Sequence, residues 1–125
     1  MKEYTLGFIF TPALDHVLLV HKISPEWQAG KAASEILDHI GITVNKNSVP
    51  NDPQSPLVTS GVRIGTPACT TRGLKEKDFE IVADVIGQAL CNPADEGIHK
   101  KLRATTAEVC ERFPLYRGLI SELYP

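Results

Sequence analysis

The stretch Ile42–Gly73, ITVNKNSVPNDPQSPLVTSGVRIGTPACTTRG, decides how this chain is read. It opens on Ile42-Thr43-Val44, which predicts a short strand. Residues 45–56 then hold three prolines, three asparagines and no periodicity. It predicts a long ordered loop, and loops of that length in compact domains are usually functional or disordered. Val58–Thr66 alternates and predicts a strand that ends at Pro67. Within it, Arg63 lies between Gly61 and Gly65. Glycines in a strand let a ligand or another backbone approach closely. An arginine there can grip a carboxylate through two parallel hydrogen bonds. On residue types alone, an arginine paired with a surface acid is the more ordinary reading. Thr70-Thr71-Arg72-Gly73 predicts a turn, and Lys75 the opening of a helix.

Toward the N-terminus, Tyr4, Leu6, Phe8 and Phe10 alternate with Thr5, Gly7 and Ile9, the period of a half-buried strand. Residues 11–15 suit a hairpin connection, and His16–His21 predicts a second strand. Ser24-Pro25-Glu26 has the order of a helix start, with a capping residue followed by proline at the first helical position. The clearer helix is Ala29–Ile40, whose stripe is Ala33, Ile36, Leu37 and Ile40. Gly41 follows as a left-handed cap. Toward the C-terminus, Phe79, Val82, Ile86, Ala89 and Leu90 mark the buried stripe of the helix opened at Lys75, and Asn92-Pro93 stops it. Ala94–Phe113 predicts a last helix, striped by Ile98, Leu102, Thr105, Val109 and Phe113 and ended by Pro114. Arg117–Pro125 is a short tail whose Leu119, Ile120 and Leu123 are placed to cover apolar surface. Strands first and helices last predict an α+β fold, a small mostly antiparallel sheet with helices packed on one face.

The chain has 125 residues, of which 42% are hydrophobic and 22% charged, so one globular domain over residues 1–125 is expected. A formal charge of −2 gives no basic excess, which argues against nucleic acid or an anionic membrane as partner. No apolar run approaches the ~20 residues that span a bilayer, and MKEYTLGFIF lacks a basic region ahead of a long apolar stretch. A cytoplasmic location is expected. Cys69, Cys91 and Cys110 are odd in number and show no metal-ligand spacing, as expected of free thiols. His16, His21, His39 and His99 show no metal spacing either, so no metal site is expected. No arrangement of nucleophile and base emerges from the order of residues, and no catalytic residue is assigned. Trp27 reads as packing. Glu35 and Asp38 read as a solvated helix face.

The segments SGVRIGTPA (60–68), VNKNSVPNDP (44–53), TPACTTRG (66–73) and RFPLY (112–116) jointly resemble the C-terminal small domain of serine hydroxymethyltransferase, over residues 31–116. The resemblance implies that Arg63 binds the carboxylate of the amino-acid substrate. It places Asn47 on the folate side of that site. Thr71 and Arg72 are read as structural, with Thr71 a candidate cap. The family's cofactor is pyridoxal phosphate, held by a large domain that supplies the Schiff-base lysine, the phosphate ligands, the acid on the pyridine nitrogen and the stacking histidine. None of that region is recognisable here, so no cofactor is expected on this chain and hydroxymethyl transfer by it alone is not expected.

YTLGFIF (4–10), DHVLLVHK (15–22) and PEWQAGK (25–31) instead look like the strands that precede the metal-binding box of a Nudix hydrolase. The glutamates of that box, which would hold the divalent ion, do not follow Gly30. The expectation is therefore a recombined or artificial chimera. In it a Nudix-like segment (1–30) and a hydroxymethyltransferase-like segment (31–116) would share a fold, with no native enzymatic activity and with Arg63 and Asn47 as vestiges. The alternative is a truncated hydroxymethyltransferase small domain that keeps weak affinity for amino-acid carboxylates or folates. A homo-oligomer, segment-swapped through the hairpin, is the partner expected, because a surface made to face another domain stays uncovered.

Overall fold

The fold is that of a computed structural model, which describes residues 8–10, 17–20 and 30–123. Its elements, in chain order, are β1 (Phe8–Phe10), β2 (Val17–Val20), α1 (Gly30–His39), β3 (Asn45–Asn47), β4 (Gly61–Gly65), α2 (Pro67–Arg72), α3 (Glu76–Cys91), α4 (Glu96–Arg112) and α5 (Arg117–Leu123). The strands form one sheet in the order β1-β2-β4-β3, antiparallel at every step. Helix α1 packs on β3 and β4, α3 packs on α1, and α4 packs on α3. This is the α+β arrangement expected. The turn at residues 11–15, the helix start at residues 24–26, Trp27, His16 and His21 lie outside the described residues.

Helix α1 carries its stripe as the spacing requires. Ala33, Leu37 and Ile40 are buried and Ile36 half-buried, while Glu35 and Asp38 face solvent. Gly41 ends the helix with φ 86°, where a side chain would be strained. The Gly41 N–H donates to Asp38 O and the Ile42 N–H to Leu37 O, which satisfies the last carbonyls. Together with Val62, Val85, Ala89, Leu90 and Leu102, this stripe forms the core. Val85 and His99 are buried although the stripes read from the sequence omitted both.

Four boundaries differ from expectation. The strand expected at Ile42–Val44 lies at Asn45–Asn47, which pairs Asn45 with Arg63 and Asn47 with Gly61. Ile42 and Val44 pack instead against the core. Pairing follows whichever backbone lies opposite, and apolar content does not decide it. Strand β4 begins at Gly61 because the preceding backbone is already engaged. The carbonyls of Thr59 and Val58 accept from the N–H groups of Gly30 and Lys31, and Thr59 has φ 60°. The segment expected as a turn after Pro67 is helix α2, with Pro67 in its first turn and Gly73 closing it at φ 111°. Thr71 lies inside that helix and caps neither end. The tail contains α5, and Leu119 and Leu123 are 54% and 65% exposed, so they cover no apolar surface among the described residues.

The first turn of α1 lies close against the start of β4. A Cβ on Gly30 would stand 2.1 Å from Gly61 O and 2.6 Å from Thr59 Oγ1. Only a residue without a side chain brings helix and strand this near, and that contact sets the position of the Arg63 strand beneath the helix.

Candidate functional site

Side chains alternate across a strand, so β4 sorts its residues by face. Val62 is buried and Ile64 half-buried, while Arg63 is exposed. Arg63 therefore lies on the sheet face away from the helices. Gly61 and Gly65 are its i−2 and i+2 neighbours on that face and offer no side chain to crowd it. Directly opposite residues of an antiparallel pair share a face, so Asn45 and Asn47 stand beside Arg63 on β3. The two residues singled out from the sequence, Arg63 and Asn47, are thus brought together on one face of the sheet, where Arg63 is exposed. No described acid pairs with Arg63, whose guanidinium keeps its fork of donors free among the described residues. Asn47 is half-buried, and its Nδ2 donates to Ser48 O at 2.8 Å.

The loop after β3 is built around Asp52, a residue the sequence reading passed over. Its Oδ2 accepts from the N–H groups of Val49 (3.1 Å) and Ser60 (2.9 Å). Its Oδ1 accepts from the Gln54 N–H (2.9 Å) and the Ser60 hydroxyl (2.6 Å). The Ser60 hydroxyl first, and the three N–H groups with it, hold the carboxyl well below the usual carboxylate range, against an opposing contribution from desolvation. Lys46 Nζ donates to Leu57 O and fastens the far side of the loop to β3. The only sequence signal for this hub was the Asn-Asp-Pro run itself, since aspartates readily bond backbone two residues on. Arg72 is structural, as the resemblance implied. Its Nε and Nη2 both donate to Phe113 O, at 2.8 and 2.6 Å, and so close the C-terminus of α4.

The histidines are the main surprise. No linear spacing connects His39 with His99, yet the fold brings the last turn of α1 near the first turn of α4, and with them His39, Glu96 and His99. One donor atom from each lies within 4.8 Å of the others. His39 Nε2 and Glu96 Oε2 are 3.6 Å apart, and the two imidazoles are 6.0 Å apart at 59°. His39 and Glu96 are exposed, His99 is buried, and His99 Nε2 has no hydrogen-bond partner. An open cavity of about 310 Å³ is lined by these three with Lys100 and Arg103. Three potential donors thus lie near one another because tertiary packing joins residues that are far apart in the sequence.

Pyridoxal phosphate, the cofactor of the resembled family, does not fit the described residues. It needs a lysine for the Schiff base, and such lysines are desolvated so that they lose their proton readily. Lys31, Lys46, Lys75, Lys77, Lys100 and Lys101 are all exposed. Cys69, Cys91 and Cys110 are free thiols. No described helix is long and apolar enough to cross a membrane.

The serine hydroxymethyltransferase family model matches residues 2–86. Serine hydroxymethyltransferase of Francisella tularensis subsp. tularensis (strain WY96-3418) is 43% identical over 117 residues, which cover 94% of this chain and 28% of the relative. The proteins of the same description from subsp. mediasiatica (strain FSC147) and subsp. novicida (strain U112) match at the same identity and coverage. The chain thus spans about 28% of the length of the curated relatives it matches. Both matches run through the first thirty residues, which the sequence analysis had assigned to a Nudix-like segment. One family accounts for nearly the whole chain, and the expectation of an artificial two-enzyme chimera without function is overturned. The short strands and connecting loop had suggested Nudix only by a pattern that many α/β proteins share. The chain belongs to the serine hydroxymethyltransferase family.

Proposed function

We propose that this chain is the small-domain part of a serine hydroxymethyltransferase, in which Arg63 receives the carboxylate of the amino-acid substrate and Asn47 faces the folate. The observation that carries the reading is the setting of Arg63. It is an exposed arginine with no described acid partner, flanked on its sheet face by two glycines and beside two asparagines of the paired strand. A bidentate grip needs a planar fork with free donors and room for a planar anion, and this setting offers both. Pyridoxal phosphate, which would supply the electron sink for the bond-breaking step, belongs to the part of the family's chain that the present residues do not represent. On its own the chain binds and orients, and does not transfer a one-carbon unit.

One exposed charged contact contributes only about 0–1 kcal/mol. Glycine should therefore bind this chain more weakly than about 1 mM. An amide- and guanidinium-resolved NMR titration of the full chain, with glycine and then a folate, tests the reading. Glycine should move the Arg63 side-chain resonance and its strand neighbours, and the folate should move Asn47. An Arg63→Ala chain should lose the glycine response and keep a dispersed spectrum. An Arg63 resonance that stays still at glycine far above about 1 mM would sink the proposal.

A further inference from the structure

We propose that His39, Glu96 and His99 form a binding site for a zinc-class divalent transition-metal ion, at the edge of the helical layer between α1 and α4. The site stands on its own residues and does not depend on the role given to Arg63. Glu96 and His99 are three apart on the first turn of α4, so they share a face. His39 enters from the last turn of α1. An imidazole–carboxylate–imidazole set suits zinc, and three protein ligands leave a fourth position for water or an anion.

The distances are close to what such an ion requires. Zinc takes nitrogen and oxygen at about 2.0–2.2 Å, so donors in a tetrahedral shell stand roughly 3.2–3.6 Å apart. His39 Nε2 and Glu96 Oε2 are already 3.6 Å apart. The three donors together span 4.8 Å, so the set must contract by about 1 Å. The His39 and Glu96 side chains are 54% and 83% exposed and free to make that move by a change of rotamer.

His99 gives the independent sign of a ligand. It is only 4% exposed, and its Nε2 is buried without a hydrogen-bond partner. Buried polar groups are nearly always paired, so an orphan nitrogen on a ring that converges with two other donor side chains asks for a partner. A metal ion supplies one. Lys100 and Arg103 line the same cavity and oppose a cation. Both are exposed, so their charged heads can remain in water, and the Glu96 carboxylate offsets part of their field. Magnesium and calcium prefer all-oxygen shells and are not the ions this set selects.

The test uses the full chain, tag-free and stripped of metal, with Cys69, Cys91 and Cys110 alkylated so that thiols cannot compete. Zn²⁺ is titrated by calorimetry, and Co²⁺ by its visible spectrum. The expected result is one Zn²⁺ per chain, a higher Tm with Zn²⁺ than with Mg²⁺, and a Co²⁺ spectrum of nitrogen and oxygen ligation. His39→Ala and Glu96→Gln should each weaken Zn²⁺ at least about tenfold, since even loss of an outer-shell partner costs that much. Both residues are exposed, so these variants test the site without threatening the core, as His99→Ala would. The proposal is overturned if the alkylated chain binds no Zn²⁺, if the two variants bind it as tightly, or if Mg²⁺ serves equally well.

Discussion

Asp52 shows how one side chain can organise a segment that has no regular structure. Four donors converge on its carboxylate, from Val49, Gln54 and twice from Ser60. They tie the loop after β3 to the residue that precedes β4, and so hold the two strands that carry Asn47 and Arg63 in place. The folded carboxyl titrates below its ordinary value, chiefly because of the Ser60 hydroxyl. The stability it contributes is therefore fully present above the unfolded pKa of about 3.9 and fades as pH falls from there toward the folded value. Asp52→Asn should lower Tm at neutral pH. The gap between the two proteins should narrow progressively below about pH 4, as thermal melts across acid pH will show. Arg63 was singled out in the sequence by the family resemblance, with its two flanking glycines beside it. Asp52 was not, because its importance comes from backbone groups converging on it from two to eight residues away.

At the level of elements, α2 and α4 are joined by a single arginine. The guanidinium of Arg72 donates twice to Phe113 O, at the point where α4 ends, and more distantly to Cys110 O. Helix C-termini leave carbonyls without intrahelical partners, and a cation there also meets the negative end of the helix dipole. Arg72→Ala should cost about 1.5–3 kcal/mol, the scale of hydrogen bonds to a charged group, measured by urea unfolding. Arg72→Lys should recover only part of this, since an ammonium keeps the charge and loses the planar fork. Helices α1, α3 and α4 were legible in the sequence because stripes and caps are local, as Gly41 shows at the end of α1, whereas α2 and α5 were not, being only six and seven residues long. The strands were shifted by about three residues at β3 and β4, because ladder pairing and the contact of Gly30 with Gly61 are decided between segments.

Over the whole molecule, Leu115, Tyr116, Leu119 and Leu123 stay between 53% and 70% exposed. Exposed apolar groups close together along the chain invite association. Sedimentation of the full chain should show concentration-dependent self-association, and Leu119→Lys with Leu123→Lys should reduce it; a monomer at all concentrations would contradict this. The sequence by itself determined the family through the segment around Arg63, the α+β class, and the helical stripes that make the core. These are written in short-range order, where period and residue type act directly. Tertiary structure alone decided that Asn47 and Arg63 share one face of the sheet and where the sheet's ladders begin. It also decided that His39 meets Glu96 and His99. Each of these depends on distant backbone being brought together by burial, a force that has no direction along the chain.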